Sequence, residues 1–344
     1  MKETLNNHQE YVHCNLCDKD DASLLFIGKD IFSGKKEQFR ITRCNSCGLV
    51  YVNPRPTEEA IKDYYFEDYC AYHKFPLESI GIMGKAKGLW QQWKNSIKRI
   101  ILEEYYGYNF GHRRHWLKKI IVFSFLAKFK KMYYRLIPYV PDGRVLDIGC
   151  GNTRDLALYK SLGWDAYGVE INRSCVDYAK NHYGINIFCG DLQEAGFPDA
   201  YFDCITMRHF LEHASDPSQI LRETRRLIKD DGLAVIEVPN FSSLEVFLLK
   251  EKSILVDVPR HLYVFTTTTL KKLLEKNGFR IEKIDYLASY WSIESSINHH
   301  LGKKGVKFRI DTKWRMHLFV VIIDMIISWL RLSSIMVFYC RKSR

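Results

Sequence analysis

The 344-residue chain has no internal repeat and no low-complexity tract, so a solenoid or a disordered scaffold is excluded. Its start, Met1-Lys-Glu-Thr4, lacks the apolar stretch of a secretory signal. Six cysteines, Cys70, Cys150, Cys175, Cys189, Cys204 and Cys340, follow no pairing pattern, so a disulfide framework is not expected. Together these absences lead us to expect a reducing, cytoplasmic setting. The one apolar run of membrane-spanning length, His317 to Cys340, is broken by Asp324 and Arg331. A spanning helix would place Asp324 in hydrocarbon, which costs several kcal/mol. Acidic residues are nearly missing from residues 85–135, where thirteen Lys/Arg face two Asp/Glu. The whole chain has 51 Lys/Arg and 40 Asp/Glu, a net charge of +11, so all of the basic excess lies in that segment.

What is present begins with Val145-Leu-Asp-Ile-Gly-Cys-Gly-Asn-Thr153. It reads as an apolar strand ending in a tight turn that opens a helix. Asp147, Gly149 and Gly151 give D-x-G-x-G; the glycines allow a sharp turn and let a ligand lie against bare backbone. A dinucleotide site would want a third glycine where Arg154 stands, so a pyrophosphate reader is disfavoured. Downstream, strand-like and helix-like runs alternate, the pattern of a mostly parallel α/β sheet. A helix runs from the Asn152/Thr153 cap to Gly163, then Asp165–Glu170 reads as a second strand. Asn172 caps a helix that stops at Gly184, and Ile185–Asp191 is a third strand. Residues 202–207 form the fourth strand. Asp216 and Pro217 open a helix with Ile220, Thr224, Leu227 and Ile228 on its apolar face. Residues 232–239 form the fifth strand, Thr266 to Gly278 a capped helix, and residues 279–288 the sixth strand.

At these residues the chain resembles the class I S-adenosylmethionine (SAM) methyltransferases, whose first motif has the form seen at 147–151. The resemblance implies a seven-stranded Rossmann-like α/β sheet. It also implies SAM as cofactor, with Asp147, Gly149, Gly151, Glu170, Asp191 and Leu192 in its site. Glu170 would accept the ribose hydroxyls, Asp191 the adenine amino group, and Asp147 would lie near the methionine part. The fold requires a late antiparallel strand, and Ser334 to Cys340 fits it; His317 to Leu330 is then a separate amphipathic helix in an insertion over 290–332.

The second signal is Cys14-Asn-Leu-Cys17 with Cys44-Asn-Ser-Cys47-Gly48. Two C-x-x-C pairs are the layout of a four-thiolate zinc site, with a redox pair or unconnected thiols as the alternatives. Residues 24–27 and 38–43 look like ribbon strands, and the closed ligand set implies a structural Zn2+. The phrase from Cys47 to Thr57 resembles bacterial methyltransferases with an N-terminal cysteine ribbon, a group linked to polysaccharide or metabolite tailoring. The expected organisation is a zinc ribbon over 11–56, a helical basic and aromatic accessory segment over 57–138, and a SAM-binding domain over 139–344.

Methyl transfer from a sulfonium chiefly requires alignment, and a hydroxyl or carbon acceptor adds the need for a base. His261, in Asp257-Val-Pro-Arg-His-Leu-Tyr263, ranks ahead of His209, in Met207-Arg-His-Phe-Leu-Glu-His213. The resemblance implies a sugar nucleotide, lipid-linked glycan or related small metabolite as acceptor. The alternatives are a ribosomal RNA methyltransferase, disfavoured because no Asn-Pro-Pro-Tyr-type motif follows strand four, and a non-catalytic SAM-fold scaffold. Lysines flanking Ile120 to Ala127 suit peripheral contact with an anionic membrane face, and RNA is the less favoured partner. The acceptor atom, whether O, N or C, stays open.

Overall fold

A computed structural model of the chain describes residues 8–32, 35, 37–65, 89–110, 136–302 and 318–343. Most of the basic segment, including Ile120 to Ala127 with its flanking lysines, and Cys70 lie outside the described residues. In chain order the ribbon strands are β1 (Gln9–Glu10), β2 (Ala22–Lys29), β3 (Gln38–Cys44), β4 (Val50–Val52) and β5 (Arg55–Pro56), followed by a 3-10 turn, Ala60–Tyr64. Helix α1 is Leu89–Tyr106. Then come β6 (Arg144–Ile148), α2 (Arg154–Ser161), β7 (Asp165–Glu170), α3 (Arg173–Tyr183), β8 (Asn186–Cys189) and β9 (Phe202–Arg208). The remainder is α4 (Pro217–Leu227), β10 (Ile228–Pro239), α5 (Leu244–Leu249), β11 (Tyr263–Val264), α6 (Thr267–Lys276), β12 (Phe279–Leu287), α7 (Tyr290–Gly302), α8 (Leu318–Trp329) and β13 (Ile335–Lys342).

Seven strands form one sheet in the order β12-β13-β10-β9-β6-β7-β8. Contacts divide the chain into two units, one of Met1–Tyr69, Arg208–Arg225 and Ile236–Arg344, the other of Cys70–Met207 and Arg226–Val235.

In the second unit, β6 pairs in parallel with both β7 and β9, and β7 with β8. Val145 to Ile148 are all buried, the mark of a strand covered on both faces. Because the chain winds away from β6 in both directions, the carboxyl end of β6 is the topological switch point where such sheets take ligands. Asn172 caps α3 by accepting from the Cys175 N–H at 3.1 Å, and Gly184 ends it in the left-handed region. The expected cap of α2 is only half present. Thr153 is the N-cap without a side-chain hydrogen bond, while Asn152 Oδ1 accepts from the Arg154 N–H at 3.2 Å. Asp203 accepts from the Arg144 N–H at 2.9 Å and from Lys229 Nζ at 2.7 Å, which makes it a tie within the sheet.

In the first unit, β12 and β13 pair antiparallel over Phe279↔Lys342 to Leu287↔Ile335, so the C-terminal apolar run divides into a helix and a late antiparallel strand as expected. No helix among the described residues is long and apolar enough to cross a membrane. Two expectations need correction. The buried face of α4 uses Leu221, Thr224 and Leu227, with Ile220 half-buried; Ile228 already begins β10, which starts four residues early because no loop separates it from α4. In α8 the polarity is inverted: Asp324 is buried while Ile322, Ile326 and Trp329 stand exposed. A four-stranded sheet, β11-β4-β3-β2, extends the cysteine ribbon with a strand from beyond His261. Its core gathers Phe39, Ile41, Val50, Val52 and Tyr64 with Leu255, Val256, Val258 and Val264.

Candidate functional site

The glycine loop follows β6. Gly149 and Gly151 have φ of 68° and 49°, values a side chain would strain. The Gly149 N–H donates to Val169 O at 2.9 Å, which pins the loop across β7. Glu170, the last residue of β7 and 5% exposed, organises its other side. Its Oε2 accepts from the Gly151 N–H at 2.7 Å and its Oε1 from the Asn172 N–H at 2.9 Å. Burial nevertheless holds this carboxyl above its ordinary range, with those donors working against it. Each carboxylate oxygen keeps a second lone pair for a ligand hydroxyl.

Asp147, also buried, accepts from Thr206 Oγ1 of the neighbouring β9. Asp191 lies two residues beyond β8 and is exposed, and Leu192 beside it is buried. The register Ile148↔Val169 and Glu170↔Cys189 brings all three acids to the carboxyl ends of adjacent parallel strands. Thr153, read from the sequence only as a helix cap, closes the loop with φ 60°; its Oγ1 is buried and has no hydrogen-bond partner among the described residues. An orphaned hydroxyl beside glycine backbone and two buried carboxylates fits a polar ligand carrying hydroxyl and ammonium groups, as SAM does.

A second cluster lies in the first unit, where His209 follows β9. The His209 ring sits between two buried carboxylates, with Nδ1 3.3 Å from Glu212 Oε1 and Nε2 3.2 Å from Glu237 Oε1. Burial alone would lower its pKa, but the two glutamates raise it to about 9. His213 Nδ1 lies 2.9 Å from Arg260 O and 3.0 Å from the Tyr65 hydroxyl. His261 Nδ1 lies 3.0 Å from Leu255 O. Burial lowers both of these imidazoles to about 4, so both are neutral. Arg260 carries the loop that holds His261. It is fully buried, donates to Asp257 Oδ2 at 3.0 Å, to Asp30 Oδ1 at 2.8 Å and to Tyr64 O at 3.1 Å.

The four expected cysteines also come together in the first unit, their sulfurs all within 4.8 Å of one another. Cys14–Cys47 and Cys17–Cys44 are each 3.4 Å apart. The two knuckles match: the Asp18 N–H donates to Cys14 O at 2.7 Å and the Gly48 N–H to Cys44 O at 2.9 Å. Asp18 takes φ 61° where Gly48 takes 82°. Against the burial that would raise it, backbone donors at Cys47 and Ser46 and the Cys17 thiol hold the Cys44 thiol at about 7.

A model of the methyltransferase domain family matches residues 112–284, half of the chain. The chain belongs to that family. A protein of Mycobacterium tuberculosis named a probable S-adenosylmethionine-dependent methyltransferase is 26% identical over 110 residues, 32% of this chain and 40% of the relative. The ubiquinone biosynthesis O-methyltransferase of Coxiella burnetii is 34% identical over 93 residues, 26% of this chain and 40% of that one. The chain therefore spans about two fifths of the length of these curated relatives. Among solved structures, a SAM-dependent methyltransferase from Archaeoglobus fulgidus aligns with a TM-score of 0.41 at 26% identity, over 58% of this chain and 86% of its own. One from Mesorhizobium loti aligns with a TM-score of 0.43 at 14% identity, over 62% and 96%.

Within this methyltransferase-family domain, Asp147, Gly149, Gly151, Glu170, Asp191 and Leu192 fall around one loop and three strand ends. His209 and His261 join a single cluster through Glu212, the latter 4.0 Å from His261 Nε2. Glu212 was not singled out as chemistry from the sequence, and His213 was noted beside His209 but not ranked as a base. The only signal was their adjacency to His209, since His261 lies 48 residues from His213 and no periodicity links them.

Proposed function

We propose that the chain transfers the methyl group of SAM to a hydroxyl of a sugar nucleotide, a lipid-linked glycan or a related small metabolite. The observation that carries the reading is Glu170, which ties the glycine loop to the next helix: its Oε2 accepts from the Gly151 N–H and its Oε1 from the Asn172 N–H. Bound SAM supplies a methyl group already activated on a sulfonium. Asp147, Glu170 and Asp191 bind and orient it, and the glycine backbone lets it approach closely. The Coxiella relative's name, an O-methyltransferase, supports oxygen as the acceptor atom.

His261 is the proposed proton acceptor. Its Nδ1 must donate to the Leu255 carbonyl, which leaves Nε2 with a bare lone pair. His209 has both ring nitrogens engaged by glutamates and has no lone pair left for a substrate proton. His261→Gln is expected to reduce kcat by about 10²–10⁴ with little change in SAM affinity, the range removal of a general base produces.

The four cysteines are proposed to hold one structural Zn2+. Around a tetrahedral zinc with bonds of about 2.3 Å, sulfurs lie about 3.8 Å apart, close to the observed spacing and well beyond a disulfide. No coordination position remains open, so the metal would fold the ribbon rather than take part in the reaction. Peripheral contact with an anionic membrane through residues 85–135 is likewise a proposal, supported by the local charge.

The test of the reading is transfer from methyl-labelled SAM to panels of sugar nucleotides, lipid-linked glycans and ribosomal RNA. Label is expected in a base-stable sugar or glycan fraction and not in RNA; label confined to RNA would replace this acceptor class.

A further inference from the structure

Glu212, His213 and His261 each offer a ligand atom, and these atoms all lie within 4.8 Å of one another. The hydrogen bonds around them decide which atoms are free. Arg260 O and Leu255 O can only accept, so His213 and His261 each carry their proton on Nδ1 and present a bare Nε2. Metal-binding imidazoles are oriented in this way, with the second ring nitrogen donating to a carbonyl. Glu212 is 1% exposed; its Oε1 is engaged by His209, and its Oε2 has no hydrogen-bond partner among the described residues. A buried carboxylate oxygen with no donor is costly unless a cation meets it.

The surrounding charge has the matching sign. Glu212, Glu237, Asp30 and Asp257 are four buried carboxylates, and Arg260 pairs with Asp30 and Asp257. The site is also rigidly built. Arg260, which holds His213 through its carbonyl, is fixed by Asp257 and Asp30, and the His213 and His261 rings meet edge to face at 4.7 Å.

We propose that Glu212, His213 and His261 form a second metal site, which takes one divalent first-row cation. Two imidazoles and one carboxylate leave coordination positions open, the arrangement suited to Fe2+, Co2+, Ni2+ or Zn2+ with an oxygen ligand completing the sphere. The site differs in kind from the closed four-thiolate ribbon. A hydroxyl or water bound in an open position loses its proton at far lower pH than in bulk water. The inference therefore deepens the proposed methyl transfer to a hydroxyl, on which its chemical role rests. The cation would lower the pKa of a bound acceptor hydroxyl so that its proton passes to bulk water; in the metal-loaded protein His261 would be a ligand, and solvent water would take over the proton-acceptor role.

The test uses the full chain with its zinc in place, titrated with Co2+ and followed by calorimetry and visible absorption. One Co2+ per chain is expected, with weak ligand-field bands and no thiolate charge transfer. Glu212→Gln and His261→Gln should each weaken binding at least tenfold while circular dichroism stays native. Should either variant unfold, X-ray absorption of the Co2+-loaded native chain decides without mutation, with nitrogen and oxygen scatterers including imidazole expected. No uptake beyond the ribbon, sulfur scatterers around the added Co2+, or unchanged affinity in both folded variants would overturn the site. SAM calorimetry on the same sample separates the two ideas: SAM binding without Co2+ removes the metal site alone, and Co2+ binding without SAM removes the cofactor reading alone.

Discussion

Replacing Arg260 by Met keeps the aliphatic length and removes the guanidinium that lies between two buried carboxylates, Asp30 and Asp257. Arg260 and the Asp30 side chain are fully buried, and Asp257 is 5% exposed. Breaking a buried ion pair by deleting one partner costs about 3–5 kcal/mol, because the other charge is left without compensation. Arg260 also donates to the Tyr64 carbonyl, so a buried acceptor loses its donor as well. We expect Arg260→Met to destabilise the chain by about 4 kcal/mol in urea titrations at pH 7. Burial already holds the Asp257 carboxyl above its ordinary range despite Arg260. Such a group binds its proton more readily folded than unfolded, so its ionised form costs stability at neutral pH, and that cost is relieved as pH falls through the raised pKa. The deficit of Arg260→Met should accordingly shrink between pH 7 and pH 4. Neutralising all three groups, as Arg260→Met with Asp30→Asn and Asp257→Asn, should recover more than half of it. A loss below about 1 kcal/mol for the single variant, or no recovery in the triple one, would refute the reasoning.

The remaining predictions concern the metal and the basic segment. One zinc per chain should be found by elemental analysis, and Cys44→Ser should lose it and make the ribbon sensitive to protease; zinc-free, stable protein from reducing conditions would revive the thiol-pair alternative. Neutralising Lys118, Lys119, Lys130 and Lys131 should weaken binding to acidic liposomes by about 1 kcal/mol per charge in co-sedimentation, with RNA binding little changed. The opposite pattern would favour RNA as the partner of that segment.

The cofactor half of the site was legible in the sequence because its chemistry is local. Sharp turning at 149 and 151 demands glycine, and each acid follows its own apolar run. The ribbon was legible because two C-x-x-C pairs leave few other uses for four thiols. The rest depended on tertiary geometry. Asp18 performs the turn that Gly48 performs, a left-handed position that the residue type does not announce. The cluster of Glu212, His213 and His261 assembles only when the loop ending at His261 is anchored by Arg260, across 48 positions of chain. The periodicity of α8 showed that one face is apolar, but not that this face is the exposed one. The length of β10 escaped because α4 runs into it with no turn residue between Leu227 and Ile228.

The central claim, a SAM site built on the glycine loop and the strand-end acids, is tested most directly by calorimetric titration of SAM into the native chain and Glu170→Ala. That change removes the oxygen that holds the loop at Gly151 and the one that holds Asn172, and strands both N–H groups. One SAM per native chain is predicted, with affinity reduced about ten- to hundredfold in the variant, the loss of roughly 1.5–3 kcal/mol expected for a charge-assisted hydrogen bond. No binding by the native chain, or equal binding by a folded Glu170→Ala, would contradict it.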